Sequence, residues 1–285
     1  MIATIIACLI ESGCSRPSSR ASDSKGPIVR MPAVRPPPEE PKLYAPPPKL
    51  EKPFILQMGP GVSMEFGWIP PGEFTMGDPN EKIPRHLEKI ERPFYLGKTE
   101  VTQEQWNVVM ATDPSVMKGP KLPVHRAQWE DCQVFLKAMN ERYARTGMKF
   151  ALPTEVQWEY ACRAGNVVRV DTPDDPVRIG DYAWLGSNSQ YEPHTVAQKK
   201  PNDWGLYDMQ GNVAEWCSDV LPPTAGISVS PPAGAKGGTS DEPWYAVRGG
   251  NYRDGPSACL STSRLVRRSV VPMRHDGLRL MCTPR

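Results

Sequence analysis

The segment 208-DMQGNVAEWC-217 places two carboxylates, Asp208 and Glu215, seven residues apart, with a Gly-Asn pair between them. Hard cations such as calcium take several oxygens at once, from carboxylates and from backbone carbonyls. Gly211 permits the positive φ of an inward turn, and Asn212 can bond its own backbone there. Asp208 and Glu215, with the carbonyls of Gly211 and Val213, are therefore a candidate calcium clamp. The spacing alone is also met by a tight Asx-type turn with solvated acids.

Sulfur is the second candidate chemistry. The seven cysteines are Cys8, Cys14, Cys132, Cys162, Cys217, Cys259 and Cys282. Five fall from residue 132 onward, and an odd number leaves at least one free thiol in any disulfide scheme. No C-x-x-C occurs, and the four histidines (His86, His125, His194, His275) are far apart, so no zinc pattern is visible. The run 264-RLVRR-268, with Arg274 and Arg279, offers either an anion site or pairing with acids such as Asp181, Asp203 and Asp241. Pairing is the commoner fate of such arginines. Tyr252, Trp244 and Trp216 can line a cleft, but packing is the usual role of such rings.

These residues need elements to position them. In 66-FGWIPPGEFTMG-77, short apolar pieces broken by Pro-Pro-Gly read as strand, turn, strand. A further strand is expected at 93-PFYLGKTEVT-102, with Thr102 as N-cap of a helix and Gln105 at the capping-box position. In 128-QWEDCQVFLKAMNERYARTG-147, Cys132, Phe135, Leu136, Met139 and Tyr143 recur at three and four, so a helix is expected up to Gly147. A third helix follows Pro153 and Thr154 and runs to Gly165. Beyond it the chain is rich in Gly, Asn, Pro and Trp, until strands return at 244-WYAVRGGNY-252 and 277-GLRLMC-282. Trp184, Trp204, Trp216 and Trp244 argue that the long middle loops are ordered.

The amino-terminal part differs in kind. The apolar run Ile2–Ile10 is too short to span a bilayer as a helix and matches the apolar core of a secretory signal. Ser12-Gly13 before Cys14 resembles a bacterial lipoprotein signal, with Cys14 bearing the lipid and attaching the protein to a membrane. Twelve of the 33 prolines fall between Pro17 and Pro60, and residues 16–53 carry eight Lys/Arg against four acids. Proline fixes φ and removes a donor, so residues 15–60 read as a basic, semi-rigid, disordered spacer. The expected organisation is a signal segment over 1–14, the spacer over 15–60 and one domain over 61–285. The net charge of only +2 argues against nucleic acid as a partner.

The blocks 68-WIPPGEFTMG-77, 98-KTEVTQEQW-106, 123-PVHRAQWEDC-132, 152-LPTEVQWEYACRAG-165, 202-NDWGLYDMQGNVAEW-216, 247-VRGGNY-252 and 277-GLRL-280 resemble those of the formylglycine-generating enzyme family in the family's order. Members of this family are also called sulfatase-modifying factors. The resemblance implies an α+β fold of the C-type lectin class, with little regular secondary structure and long ordered loops. It implies calcium at Asp208, Gly211, Val213 and Glu215. It also implies a position for Cys162 that in the family bridges to the last strand, here reaching Cys282.

Catalytic members oxidise a sulfatase cysteine to formylglycine with molecular oxygen and copper(I), held by two cysteines that follow the Arg-Gly-Gly block. Soft thiolates suit copper(I). In 248-RGGNYRDGPSAC-259 the second of these positions is Cys259, but the first is Asp254. Asn251 stands where the family has serine, and Ala214 stands where a tryptophan is common. The expectation is an extracytoplasmic, calcium-stabilised domain that binds an unidentified protein or ligand through its loop surface. The alternative is a copper-dependent oxidoreductase using Cys259 with another thiol such as Cys217. An iron chemistry like that of the sulfoxide-forming relatives lacks its histidine-rich site here.

Overall fold

The computed structural model describes residues 52–77, 85–165, 176–222, 243–269 and 273–285, without the side chains of Pro176 and Val177. The expectations for residues 1–14, for Cys14 and for most of the spacer lie outside the described residues. Eleven strands are described: β1 (Phe54–Gly59), β2 (Val62–Ile69), β3 (Gly72–Met76), β4 (His86–Ile90), β5 (Phe94–Gly97), β6 (Met148–Ala151), β7 (Ala214–Leu221), β8 (Trp244–Arg248), β9 (Arg264–Arg268), β10 (Asp276–Gly277) and β11 (Met281–Pro284). Four helices accompany them: α1 (Gln103–Val109), α2 (Trp129–Arg142), α3 (Glu155–Cys162) and α4 (Pro176–Tyr182).

One sheet has the order β1-β2-β5-β11-β6, a second β10-β7-β8-β9, and β3 and β4 form a hairpin. The last strand thus lies between β5 and β6, with Met281 opposite Leu96 on one side and Ala151 on the other. The middle of the five-stranded sheet is buried on both faces, while Ile55 of β1 and Lys149 of β6 are exposed. Leu56, Phe66, Phe150, Leu280 and Cys282 pack with Trp106 of α1 and Phe135 of α2. Ile69, Phe94, Leu96 and Met281 pack on the other side with Trp158, Tyr160 and Trp204. Successive strand residues point to opposite faces, so neighbours in one strand enter different cores.

Local signals explain the helix starts. Thr102 Oγ1 accepts from Gln105 N at 3.3 Å, and Gln105 Oε1 accepts from Thr102 N at 2.9 Å. Thr154 and Gln157 repeat the arrangement at α3. The Trp106 ring stacks on Phe135, 4.7 Å between centroids, which locks α1 to α2. α2 is shorter than expected: it ends at Arg142, a 3-10 turn covers Ala144–Thr146, and Gly147 follows at φ +72°.

One boundary needs correction. The spacer assigned to 15–60 ends earlier, because Phe54–Gly59 pairs antiparallel with β2. The proline-rich approach masked a short strand whose Leu56 and Met58 are core residues. β7 was also not expected. Ala214, Glu215, Trp216 and Cys217 are all buried, so the period-two pattern of a half-exposed strand is missing.

Replacing Thr154 with Ala removes one half of the α3 capping box. We expect a loss of about 1 kcal/mol in unfolding free energy, read by urea denaturation, with the cooperative transition retained.

Candidate functional site

The 208–215 turn is built around a buried guanidinium. Asp208, Gly211 and Asn212 have φ of +52°, +72° and +53°. A Cβ on Gly211 would sit 2.2 Å from the Trp184 carbonyl oxygen, so the position admits only glycine without rearrangement. Asn212 does not bond its own backbone as expected. Its Nδ2 donates to Glu100 Oε2 and to the His194 carbonyl, and its Oδ1 accepts from His194 N. Glu100 Oε1 accepts from Val213 N at 3.0 Å. The side chains of Glu100 and Asn212 therefore stitch the turn to the segment before α1.

Arg279 occupies the centre. Its Nη2 donates to Glu215 Oε1 at 2.7 Å and its Nε to both Glu215 oxygens at 3.0 and 3.1 Å. Its remaining donors reach the carbonyls of Gly97, Tyr207 and Asp208. Trp158 Nε1 donates to Glu215 Oε2 at 2.6 Å. Glu100, Asp208, Glu215 and Arg279 are all buried. Three acids thus share one arginine. Burial, then Asp208 and Glu215, hold Glu100 well above the usual carboxylate range. Burial pushes Asp208 up to about 6.

The expected calcium ligands fit this geometry unevenly. Asp208 Oδ2 accepts from Ala197 N, but buried Oδ1 has no hydrogen-bond partner. An excess of buried negative charge beside an open carboxylate oxygen suits a hard cation. Glu215, by contrast, has both oxygens engaged by Arg279 and Trp158. It lends charge to the site more readily than a free lone pair. Sequence reading missed Glu100 and Arg279 as parts of this site. Both lie in family-like blocks, and an acid beside a helix start and an arginine in an apolar strand were the available signals.

The copper position is different. Cys259 is fully buried with Ile179, Ala183, Leu185 and Leu260, and its Sγ lies close to where a Gly250 Cβ would be. Burial, and next the Asp254 carboxylate, hold the thiol far above its ordinary pKa. Asp254 Oδ2 accepts from Asn251 N and Nδ2, so the carboxylate holds the turn before Gly255-Pro256. Cys217 lies in the core with Trp158 and Ala246, a different cluster from that of Cys259. One neutral thiol and one hydrogen-bonded carboxylate do not make a copper(I) donor set.

The expected Cys162–Cys282 bridge is not formed. Cys282 faces the core with α1 and α2, whereas Cys162 faces the core on the other side of the sheet. Leu280, two residues earlier, shares the Cys282 face, as strand alternation requires. Three of the arginines named from sequence pair with acids, and Asp241 lies outside the described residues. Arg264 binds Glu155, Arg267 lies 3.4 Å from Asp276, and Arg279 binds Glu215. Arg248, also buried, binds Glu159 and lies 3.4 Å from Glu155. Trp216 is a core residue, with Nε1 donating to the Ala127 carbonyl at 2.9 Å.

Removing one member of a buried pair leaves the other charged and unsolvated. Arg279→Met is expected to cost about 3–5 kcal/mol in chemical denaturation. Arg279→Met with Glu215→Gln is expected to recover part of that loss.

Comparison with known proteins agrees with this architecture. A family model described as Sulfatase-modifying factor enzyme 1-like domain matches residues 62–284. The chain is 30% identical over 174 residues to the Chaperone protein LppX of Paenibacillus barcinonensis, covering 44% of this chain and 61% of that protein. It is 26% identical over 280 residues to the Formylglycine-generating enzyme of Streptomyces coelicolor, covering 73% and 85% respectively. The solved structure of Treponema denticola variable protein 1 superposes with a TM-score of 0.67 at 25% identity, covering 81% of this chain and 99% of that one. PvdO from Pseudomonas aeruginosa gives 0.65 at 21% identity with the same coverage. The fold is the C-type-lectin-like one expected. With its blocks in order and the family model matched over residues 62–284, the chain belongs to the sulfatase-modifying factor enzyme 1-like domain family.

Proposed function

We propose that this protein is a calcium-stabilised binding or accessory domain, displayed outside the cytoplasm, that does not oxidise cysteine. The observation that carries the reading is the donor set at the copper position. Asp254 stands in place of the first thiolate and is held by Asn251, while the Cys259 thiol is buried and protonated. A catalytic copper site needs two thiolates within reach of one ion. The name of the Paenibacillus relative, a chaperone, agrees with an accessory role. Export rests on the apolar run Ile2–Ile10, on Cys14 and on the spacer that would hold the domain away from a membrane.

Asp208, with the carbonyls of Gly211 and Val213 and the charge of Glu215, would hold the calcium ion. Bound there, calcium would neutralise part of the excess of acids around Arg279 and fix a turn that carries three positive-φ residues.

Two measurements test these statements. Copper(I) titration of the reduced full-length protein is expected to show no tight, stoichiometric site that depends on Cys259. Such a site, lost in Cys259→Ser, would overturn the reading in favour of the oxidoreductase. Thermal melts in calcium and in chelator are expected to differ, by roughly 2.7 kcal/mol of stability at a hundredfold excess over Kd. Asp208→Ala is expected to abolish that difference, and identical melts for the wild-type protein would remove calcium from the proposal.

A further inference from the structure

One exposed surface is left out of the buried ion pairs. Tyr252 lies beyond β8 and His275 just before β10. The Tyr252 hydroxyl and His275 Nδ1 are 2.8 Å apart, and their rings meet edge to face with centroids 5.0 Å apart. Arg253 follows Tyr252 and Arg274 precedes His275. This single contact therefore brings two arginines to the flanks of the same Tyr-His pair. Both are exposed. Neither has a carboxylate within ion-pair distance among the described residues, unlike Arg248, Arg264, Arg267 and Arg279.

The surface is held in place. The Arg253 guanidinium lies 5.8 Å from the Tyr191 ring centroid, and Tyr191 is 58% exposed. The loop carrying Tyr191 is pinned by Ser189 Oγ, which donates to the Tyr252 carbonyl and accepts from Tyr191 N. Gly186 N donates to the Asp254 carbonyl at 2.9 Å. Of the nearby acids, Asp254 is engaged by Asn251, and Asp276 is buried against Arg267. Glu192 is the exposed acid on the Tyr191 loop. Burial and the neighbouring arginines push His275 down to about 4, so it stays neutral near pH 7. The uncompensated charge of the face is positive.

We infer that this face docks an acidic peptide segment of a partner protein, its carboxylates on Arg253 and Arg274 and an apolar side chain against Tyr191. The inference rests on the binding-domain reading above. Guanidinium forks match carboxylates two bonds at a time, and an exposed aromatic ring beside them gives an apolar anchor. A small anion would leave the exposed Tyr191 ring beside Arg253 uncovered, whereas a peptide can cover the ring and the arginines together.

The test is fluorescence anisotropy of labelled hexaglutamate against the full-length protein at low and moderate salt. Saturable, salt-sensitive binding is expected, weakened roughly tenfold or more in the double variant Arg253→Gln, Arg274→Gln. Tyr191→Ala is expected to weaken binding without changing its salt dependence. The charge-matched double variant Lys137→Gln, Lys149→Gln, on α2 and β6, is expected to bind as the wild type does. Absence of saturable binding would overturn the inference. So would equal losses in both double variants, which would report net charge alone. Displacement by an equal molarity of inorganic phosphate would also overturn it, by making the face a free-anion site. Any of these results in a protein that still binds no copper through Cys259 removes the ligand class and leaves the binding-domain reading intact.

Discussion

The buried Arg279–Glu215 pair is the constraint on which the rest of the site depends. Taking two charges out of water costs several kcal/mol each, and attraction between them offsets this only with further hydrogen bonds. Those bonds are present. Arg279 reaches carbonyls of Gly97, Tyr207 and Asp208, and Trp158 reaches Glu215. The partners come from three separate parts of the chain: Gly97, the 207–215 segment and Trp158. The pair therefore fixes, in one place, the end of β5, the 208–215 turn, α3 and the approach to β11.

A second buried network repeats the idea at α3. Glu159 binds Arg248 of β8, Arg163 at its own helix end and the Gly77 amide. Glu155 binds Arg264 of β9. Between them these contacts attach α3 to the four-stranded sheet and to the end of β3. Long loops can stay ordered in such a protein because charged anchors hold their ends and tryptophans fill the space between. Trp204 and Trp158 pack in one core, while Trp184 stacks on His194 at 3.7 Å.

This scaffold separates its buried charged anchors from its exposed arginines. Asp254 holds the turn before Gly255 by accepting from Asn251 N and Nδ2. The Cys259 side chain then serves as a small apolar group among Ile179, Leu185 and Leu260. Arg253, Arg274 and Tyr191 take no part in the buried ion pairs among the described residues.

The sequence by itself determined the local pieces. Thr102 with Gln105 and Thr154 with Gln157 announce helix starts, because a cap and its partner lie three residues apart. Gly211 announces a left-handed turn. The ordered blocks announce the family, and with it the fold. Tertiary structure decided which distant groups meet. Glu215 and Arg279 are 64 residues apart, and Asn212 and Glu100 are 112 apart, so no local pattern joins them. It also decided against the Cys162–Cys282 bridge, because strand alternation sends Cys282 to the opposite core. β7 was hidden for a related reason: a strand buried on both faces has no alternation to read. Caps, turns and blocks are properties of contiguous residues, whereas the partner of a buried charge or thiol is set by strand pairing.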